Sequence, residues 1–313
     1  MINYFFLFLV SLTLALFVGN PLIRLLKSIG VKQSIREDGP KAHLGKKSKT
    51  PTIGGVIFLI PLFLLTIIFC LMKKSFLSMD LLVVLITTAI MAVLGFVDDY
   101  LKVLKKHNKG ISGWTKLFVQ LLVSIVLYKI YYGNNGLIYL LWCFFIIAGA
   151  ANSFNLTDGL DGLLGSISLL SFLGFFVLFS HYAKNELLLF IAVVLGAVAG
   201  FLYFNKHPAK IFMGDTGSLA IGGAIGSLAI VSRHELYLAL FAAVPIIEAL
   251  SVIIQVLGYK VTKKIYGEGK RIFKMAPLHH HFELCGWGEI KVVQTLFFLQ
   301  LICTLIGVFI LFH

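Results

Sequence analysis

Five aspartates carry most of the chemistry open to this sequence. Asp98 and Asp99 stand side by side in "GFVDDYLK", Asp158 and Asp161 alternate with glycine in "NLTDGLDG", and Asp215 lies within "FMGDTGSL". Adjacent carboxylates repel each other, and a magnesium ion or a proton relieves that repulsion. Asp98 and Lys102 also have the i,i+4 spacing of an ordinary ion pair on one face of a helix. The Asp-Gly pairs at 158–159 and 161–162 suit tight turns or a helix cap, and equally let the backbone approach a bulky polar ligand. Asp215 opens an apolar run, where it could cap a helix; a helix N-terminus also offers N–H groups to phosphate.

Three further stretches bear on the same chemistry. "KKSKTPTIGG" sets Lys46, Lys47 and Lys49 before Thr50, Thr52 and a Gly54-Gly55 pair. Basic residues beside a membrane serve as topology signals or lipid contacts, and the hydroxyls and glycines after them favour a phosphate contact. "PLHHHFE" holds His279, His280 and His281. Three consecutive side chains cannot converge on one small metal from a regular helix or strand, so one or two histidines donating to phosphate or sugar is the better geometry. Glu248, three residues after Pro245, is the only acid well inside an apolar span. A bend at the proline, with Glu248 satisfying freed backbone groups or a partner helix beside it, is the expected arrangement.

The elements that position these residues follow from composition. The chain has 313 residues, 59% of them hydrophobic and only 13% charged, too little polar surface to cover a soluble globule. Ten apolar runs are long enough to cross a bilayer or nearly so: about 3–23, 53–72, 80–98, 116–132, 137–152, 163–182, 187–204, 217–232, 236–257 and 291–312. The expected fold is therefore an all-α polytopic integral membrane protein in a single domain, 1–313. The longest polar stretches, 24–52 and 258–290, are loop-sized. The four cysteines have no C-x-x-C spacing, which indicates neither a disulfide framework nor a zinc site.

Charge sets the expected orientation. With the ten runs alternating across the membrane, 22 of the 27 Lys and Arg residues fall on one side. The positive-inside rule makes that side cytoplasmic and puts both termini outside. All five aspartates share the cytoplasmic side, from three separate loops. A secondary transporter would also suit ten helices, but transporters place charged groups near the midplane, and here only Glu248 does so.

Read together, "TPTIGG" (50–55), "DDYLK" (98–102), "NLTDGLDGL" (155–163), "FMGDTGSL" (212–219) and "PLHHHFE" (277–283) resemble the polyprenyl-phosphate N-acetylhexosamine-1-phosphate transferases. The resemblance runs from the first loop to the last span and is close to the muramoyl-pentapeptide branch. A sibling activity on UDP-GlcNAc is the nearest alternative. The resemblance implies a ten-helix, homodimeric enzyme of the bacterial inner membrane with a cytoplasmic Mg2+ site. Its substrates would be UDP-MurNAc-pentapeptide and undecaprenyl phosphate, with membrane lipids around it and no nucleic acid among its partners. Carried over by motif, Asp215 is a magnesium ligand, Asp98 and Asp99 handle the metal and the lipid phosphate, His279 joins these three as a catalytic residue, and with it His280 and His281 line the substrate side. Lys102, Asn152, Asn155, Asp158, Asp161, Asn205 and Phe212 match nucleotide- and sugar-binding positions, with Phe212 suited to stack on uracil. Lys47 and Thr52 belong to the same substrate-binding set. Lys49 departs from the glycine common before "TPT".

Overall fold

The computed structural model describes residues 3–31, 50–73, 76–105, 110–133 and 135–313. Lys47 lies outside the described residues. Within them the regular structure is helical throughout, with no strand. The helices are α1 (Tyr4–Ser28), α2 (Val56–Met72), α3 (Met79–Lys105), α4 (Gly113–Tyr131), α5 (Leu137–Thr157), α6 (Leu163–His181), α7 (Asn185–Asn205), α8 (Gly214–Ser232), α9 (Ala243–Tyr266), α10 (Leu278–Leu284) and α11 (Glu289–Phe312). Among the described residues nine are long and apolar enough to cross a membrane; α2, the other expected span, is an apolar helix of 17 residues. The chain is a multi-pass membrane protein.

The surface is what a bilayer demands. Phe17 is 77% exposed, Leu71 74% and Ile138 73%, exposures that a hydrocarbon solvent makes favourable and water would penalise. Between helices hydrophobicity gives little drive in lipid, so close backbone packing must hold the bundle together. The central helix α8, "GDTGSLAIGGAIGSLAIVS", is built for this: seventeen of its nineteen residues are buried. Its small side chains let α3 and α5 approach on either side. At the crossing with α3, a Cβ on Gly95 would run into the Asp215 carbonyl, so only glycine lets the two backbones come this near.

Two expected boundaries move for physical reasons. The run ending at 98 marks the end of hydropathy, not of helix: α3 continues to Lys105 because Asp98, Asp99 and Lys102 all find partners on neighbouring elements. The run 236–257 breaks at its start, where a turn of helix at Leu238–Phe241 is interrupted at Ala242 before α9 begins. Pro245 is therefore the third residue of α9, in the first turn, where a missing N–H costs no intrahelical bond. The break precedes the proline, and the bend expected at Pro245 itself is corrected to Ala242.

The end of the bundle away from the five aspartates has its own polar clasp. Asp80 of α3 accepts hydrogen bonds from Tyr131 Oη at 2.8 Å and Lys184 Nζ at 3.0 Å. Arg233, just past α8, lies over the rings of Tyr131 and Tyr132, and Tyr132 bonds Glu235. α3, α4, α7 and α8 are thus tied at that end, leaving the other end to carry chemistry.

Candidate active site

Where the C-terminal part of α3 meets the start of α8, one oxygen each from Asp98, Asp99 and Asp215 falls within 4.8 Å of the others. Adjacent residues on a helix point about 100° apart, so Asp98 and Asp99 do different things. Asp99 turns to α8: its Oδ1 accepts the N–H of Asp215 at 3.1 Å, and its Oδ2 accepts the N–H of Thr216 at 2.9 Å and the Thr216 hydroxyl at 2.7 Å. No side chain next to α8 in sequence caps it, so a carboxylate from another helix satisfies its first donors. Asp158, just past α5, satisfies a third backbone donor by accepting the Gly214 N–H at 3.1 Å. The α8 N-terminus, read from sequence as open to phosphate, already faces two carboxylates.

Asp98 turns toward cations. Its Oδ1 accepts the Ile111 N–H at 2.7 Å and lies 3.1 Å from Lys116 Nζ, while Oδ2 lies 2.6 Å from Lys102 Nζ. The same ammonium groups reach Asp215 Oδ2, Lys116 at 2.5 Å and Lys102 at 3.3 Å. Asn155 donates to Asp215 Oδ1 at 3.0 Å and to Ser218 Oγ at 2.8 Å, orienting the carboxylate. The i,i+4 pair of Asp98 with Lys102 therefore forms, but inside a network rather than on a solvated face.

Charge in this network is unbalanced, with three carboxylates against two ammonium groups and Asp158 alongside. Burial pushes the Asp158 carboxyl up to about 7, with repulsion from Asp215 and Asp99 adding to the rise and the Gly214 N–H opposing it. Three hard carboxylate oxygens this close suit a small divalent cation such as magnesium, which takes oxygen donors and keeps several waters. Asp98, Asp99 and Asp215 are the residues that could hold it.

Thr52 arrives by backbone pairing. Phe212 N–H donates to Pro51 O at 2.9 Å, Gly54 N–H to Phe212 O at 2.8 Å and Gly55 N–H to Met213 O at 2.9 Å. "TPTIGG" and the residues before α8 thus hold each other, and the Thr52 hydroxyl lies beside Gly214, where Asp99 Oδ2 also sits. Phe212 is half-buried in this pairing.

Other residues singled out from sequence sit elsewhere. Asn152 donates to Gln120 at 3.0 Å and to Ala148 O at 2.8 Å, tying α5 to α4 one turn above Asn155. Asn205 bridges the Gly162 N–H at 3.1 Å and the Ile211 carbonyl at 2.9 Å, fixing the 206–211 loop. Asp161 belongs to a second cluster: its Oδ2 lies 3.1 Å from His207 Nδ1 and accepts the Ala209 N–H at 3.0 Å, and its own N–H donates to Glu289 at 2.7 Å. A cavity of about 340 Å³ adjoins that cluster, lined by Asp161, Lys206 and His207 with Leu202, Ile290 and Val293. The three histidines diverge: His279 is buried against Glu248, His280 Nδ1 lies 2.9 Å from Glu283, and His281 Nδ1 accepts the Lys274 N–H at 3.1 Å.

Lys116, Ser218, His207 and Glu289 had not been singled out from sequence. Lys116 had a readable signal. It occupies the first turn of α4, after the Ser112 cap that accepts the Thr115 N–H at 3.1 Å. A cation there opposes the helix dipole, which calls for a carboxylate partner nearby.

The sequence model of glycosyl transferase family 4 matches residues 81–233, from the first turn of α3 to just past α8. Over 97% of its length the chain is 43% identical to a phospho-N-acetylmuramoyl-pentapeptide-transferase of Bacillus licheniformis, covering 95% of that protein. The Bacillus subtilis enzyme of the same name is 41% identical with 97% of each chain covered, and that of a Geobacillus species is 42% identical with 96% of each. Agreement this extensive, end to end in both chains, means that the chain belongs to the phospho-N-acetylmuramoyl-pentapeptide-transferase family, whose members are membrane transferases of cell-wall synthesis.

Proposed function

We propose that this protein transfers phospho-MurNAc-pentapeptide from UDP-MurNAc-pentapeptide to undecaprenyl phosphate, with magnesium, at the cytoplasmic face of the bacterial inner membrane, releasing UMP. The observation that carries the reading is the meeting of Asp98, Asp99 and Asp215 with Lys102 and Lys116 at one end of the bundle. Both substrates are anionic and their phosphates must approach each other, so a site that combines a cation with fixed ammonium groups is what the reaction needs.

A bound magnesium ion would supply charge neutralisation and orientation for the diphosphate. The chain's own residues do the rest. Lys102 and Lys116 hold phosphate oxygens close to the acids and limit repulsion. Asp98 accepts the proton of the lipid phosphate and leaves it fully ionised for in-line attack. Asp99 acts one step back: by holding the Asp215 and Thr216 N–H groups it fixes the start of α8, and with it the Asp215 side chain. Asn155 sets the rotation of that carboxylate. One phosphoanhydride replaces another, so no further energy source is needed. The role is mainly positioning and electrostatics, as expected for phosphoryl transfer.

The test is UMP release by the purified protein in detergent, supplied with undecaprenyl phosphate and either UDP-MurNAc-pentapeptide or UDP-GlcNAc. Release with the muramoyl substrate, dependent on magnesium, is expected. Release with UDP-GlcNAc alone would overturn the substrate assignment, and release unaffected by a chelator would overturn the metal.

A further inference from the structure

We propose that the part of α9 beyond Ser251, with the chain that returns along it, is an arm that docks on the anionic headgroups of the bilayer's own phospholipid. The surface lies apart from the carboxylate site, and the proposal does not depend on the reaction assigned to that site.

Ser251 is the last buried residue of α9, yet the helix runs on to Tyr266. The remainder, 252–266, adds about 22 Å of helix at 1.5 Å per residue. Gly267, left-handed at φ 79°, ends it and turns the chain back. The return is pinned to one face. Gln255 Oε1 accepts the N–H groups of Ile272 at 3.0 Å and Phe273 at 2.9 Å, and its Nε2 donates to Phe273 O at 3.0 Å. Nearer the tip, Thr262 Oγ1 accepts the Lys270 N–H at 2.8 Å. A Cβ on Gly258 would collide with the Ile272 side chain, so glycine there lets the return lie close.

The other faces carry apolar and basic side chains. Ile253, Leu257, Val261 and Ile265 recur at every fourth position, each more than half exposed, and make a continuous apolar ladder. About 100° around the helix from it stand Lys260 and Lys264, and Lys263 precedes the second of them. The return adds Lys270, held over the Tyr266 ring at 5.4 Å, and Arg271. Lys274 is turned away, to the Leu284 carbonyl at 3.0 Å. From 249 to 282 the only acid is Glu268, so the positive charge of the arm is not balanced within it.

Water would penalise the ladder, and hydrocarbon would penalise the lysines. A membrane interface of negative charge satisfies both, with acyl chains against the ladder and headgroups at the ammonium groups. Tyr259 and Tyr266, both exposed, are side chains that such interfaces favour. A topology signal needs charge alone, with no ladder beside it and no folded return. A soluble anion would leave the ladder in water. A single polyprenyl phosphate would bring one headgroup to Lys260, Lys263, Lys264, Lys270 and Arg271, whereas phospholipid supplies headgroups along the whole arm.

The test uses the full-length protein in lipid discs. The exposed native thiol is removed by Cys285→Ser, and a fluorophore is placed on the ladder through Ile265→Cys. Discs of phosphatidylcholine carry a small fraction of phosphatidylglycerol with a nitroxide on its acyl chain or, in a parallel sample, phosphatidylcholine labelled in the same way. The phosphatidylglycerol label should quench at least about fivefold more strongly, the enrichment expected from one engaged cation, and high salt should weaken the preference. Replacing Lys260, Lys263, Lys264, Lys270 and Arg271 together by Gln should bring the two labels to parity. If that variant does not fold, Lys263→Gln with Lys264→Gln should lower the ratio part of the way. Equal quenching by both lipids before these substitutions, or quenching by neither, overturns the proposal, and so does a preference that survives them. A phosphatidylglycerol signal abolished by undecaprenyl phosphate added at far below the phosphatidylglycerol amount would assign the arm to the polyprenyl lipid and likewise overturn it. Both leaflets of the discs have one composition, so the outcome is independent of which face is cytoplasmic and of whether the protein releases UMP.

Discussion

Asp99, near the end of α3, accepts the N–H of Thr216 at 2.9 Å and its hydroxyl at 2.7 Å, although the two residues lie 117 positions apart. This contact makes the start of α8 depend on α3, and it separates two acids that stand next to each other in the sequence. Asp98 faces the lysines and Asp99 faces the backbone.

Removing the cap should therefore register as stability. Asp99→Ala strands buried donors at the α8 N-terminus and should cost about 3 kcal/mol, whereas Asp99→Asn keeps one acceptor oxygen and should cost about 1 kcal/mol. Thermal unfolding in detergent reads the order. An Asp99→Ala protein with the wild-type midpoint would contradict the capping role.

Asp215→Asn should separate from both. The amide fills the same space and keeps one acceptor oxygen for Asn155 or Lys116, so folding is expected to survive while magnesium-dependent UMP release falls by at least about 100-fold, the scale of losing one preorganised electrostatic group. Unchanged turnover would remove Asp215 from the cation site.

Lys116 bridges Asp98 and Asp215 at 3.1 and 2.5 Å and competes for oxygens a divalent cation would use. Lys116→Gln should bind Mn2+ more tightly than the wild type, measured by paramagnetic resonance of free ion, while its turnover drops because a phosphate-binding charge is gone. Weaker Mn2+ binding would show that the lysine supports the cation site instead of opposing it.

Asp158 gives a pH test. Its carboxyl is raised from 3.8 to about 7, first by burial. Between those values the folded protein holds a proton that the unfolded chain has released. The contribution to stability is thus complete below about pH 4 and lost as pH rises through about 7. In metal-free protein the infrared band of a protonated carboxyl should disappear over the upper part of that range, and Asp158→Asn should lack the change. A band already absent at pH 5 would contradict the shift.

Much of this was legible because membrane proteins obey a small number of rules strictly. Apolar runs gave the helices, and the alternation of charge put the five aspartates at one end. Sequence motifs then brought Asp98, Asp99, Asn155 and Asp215 to one site. What escaped was what depends on direction. Nothing in "DDYLK" says that Asp99 points at α8 and Asp98 at Lys116, because that division follows from the close crossing at Gly95. Asp161 shares a motif with Asp158, yet the turn between them sends it to His207 and Glu289. The three histidines read as one feature and serve three environments, since a single turn of helix spreads consecutive side chains around its axis. The break before α9 was assigned to Pro245, where the sequence signal is strongest, but a proline in the first turn of a helix breaks nothing.

The most direct measurement is anomalous diffraction from crystals of the protein soaked in Mn2+. A peak about 2.1 Å from Asp215, with Asp98 or Asp99 as a second ligand, is predicted. A peak at the Asp161, His207 and Glu289 cluster alone, or none at the three carboxylates, would contradict the account.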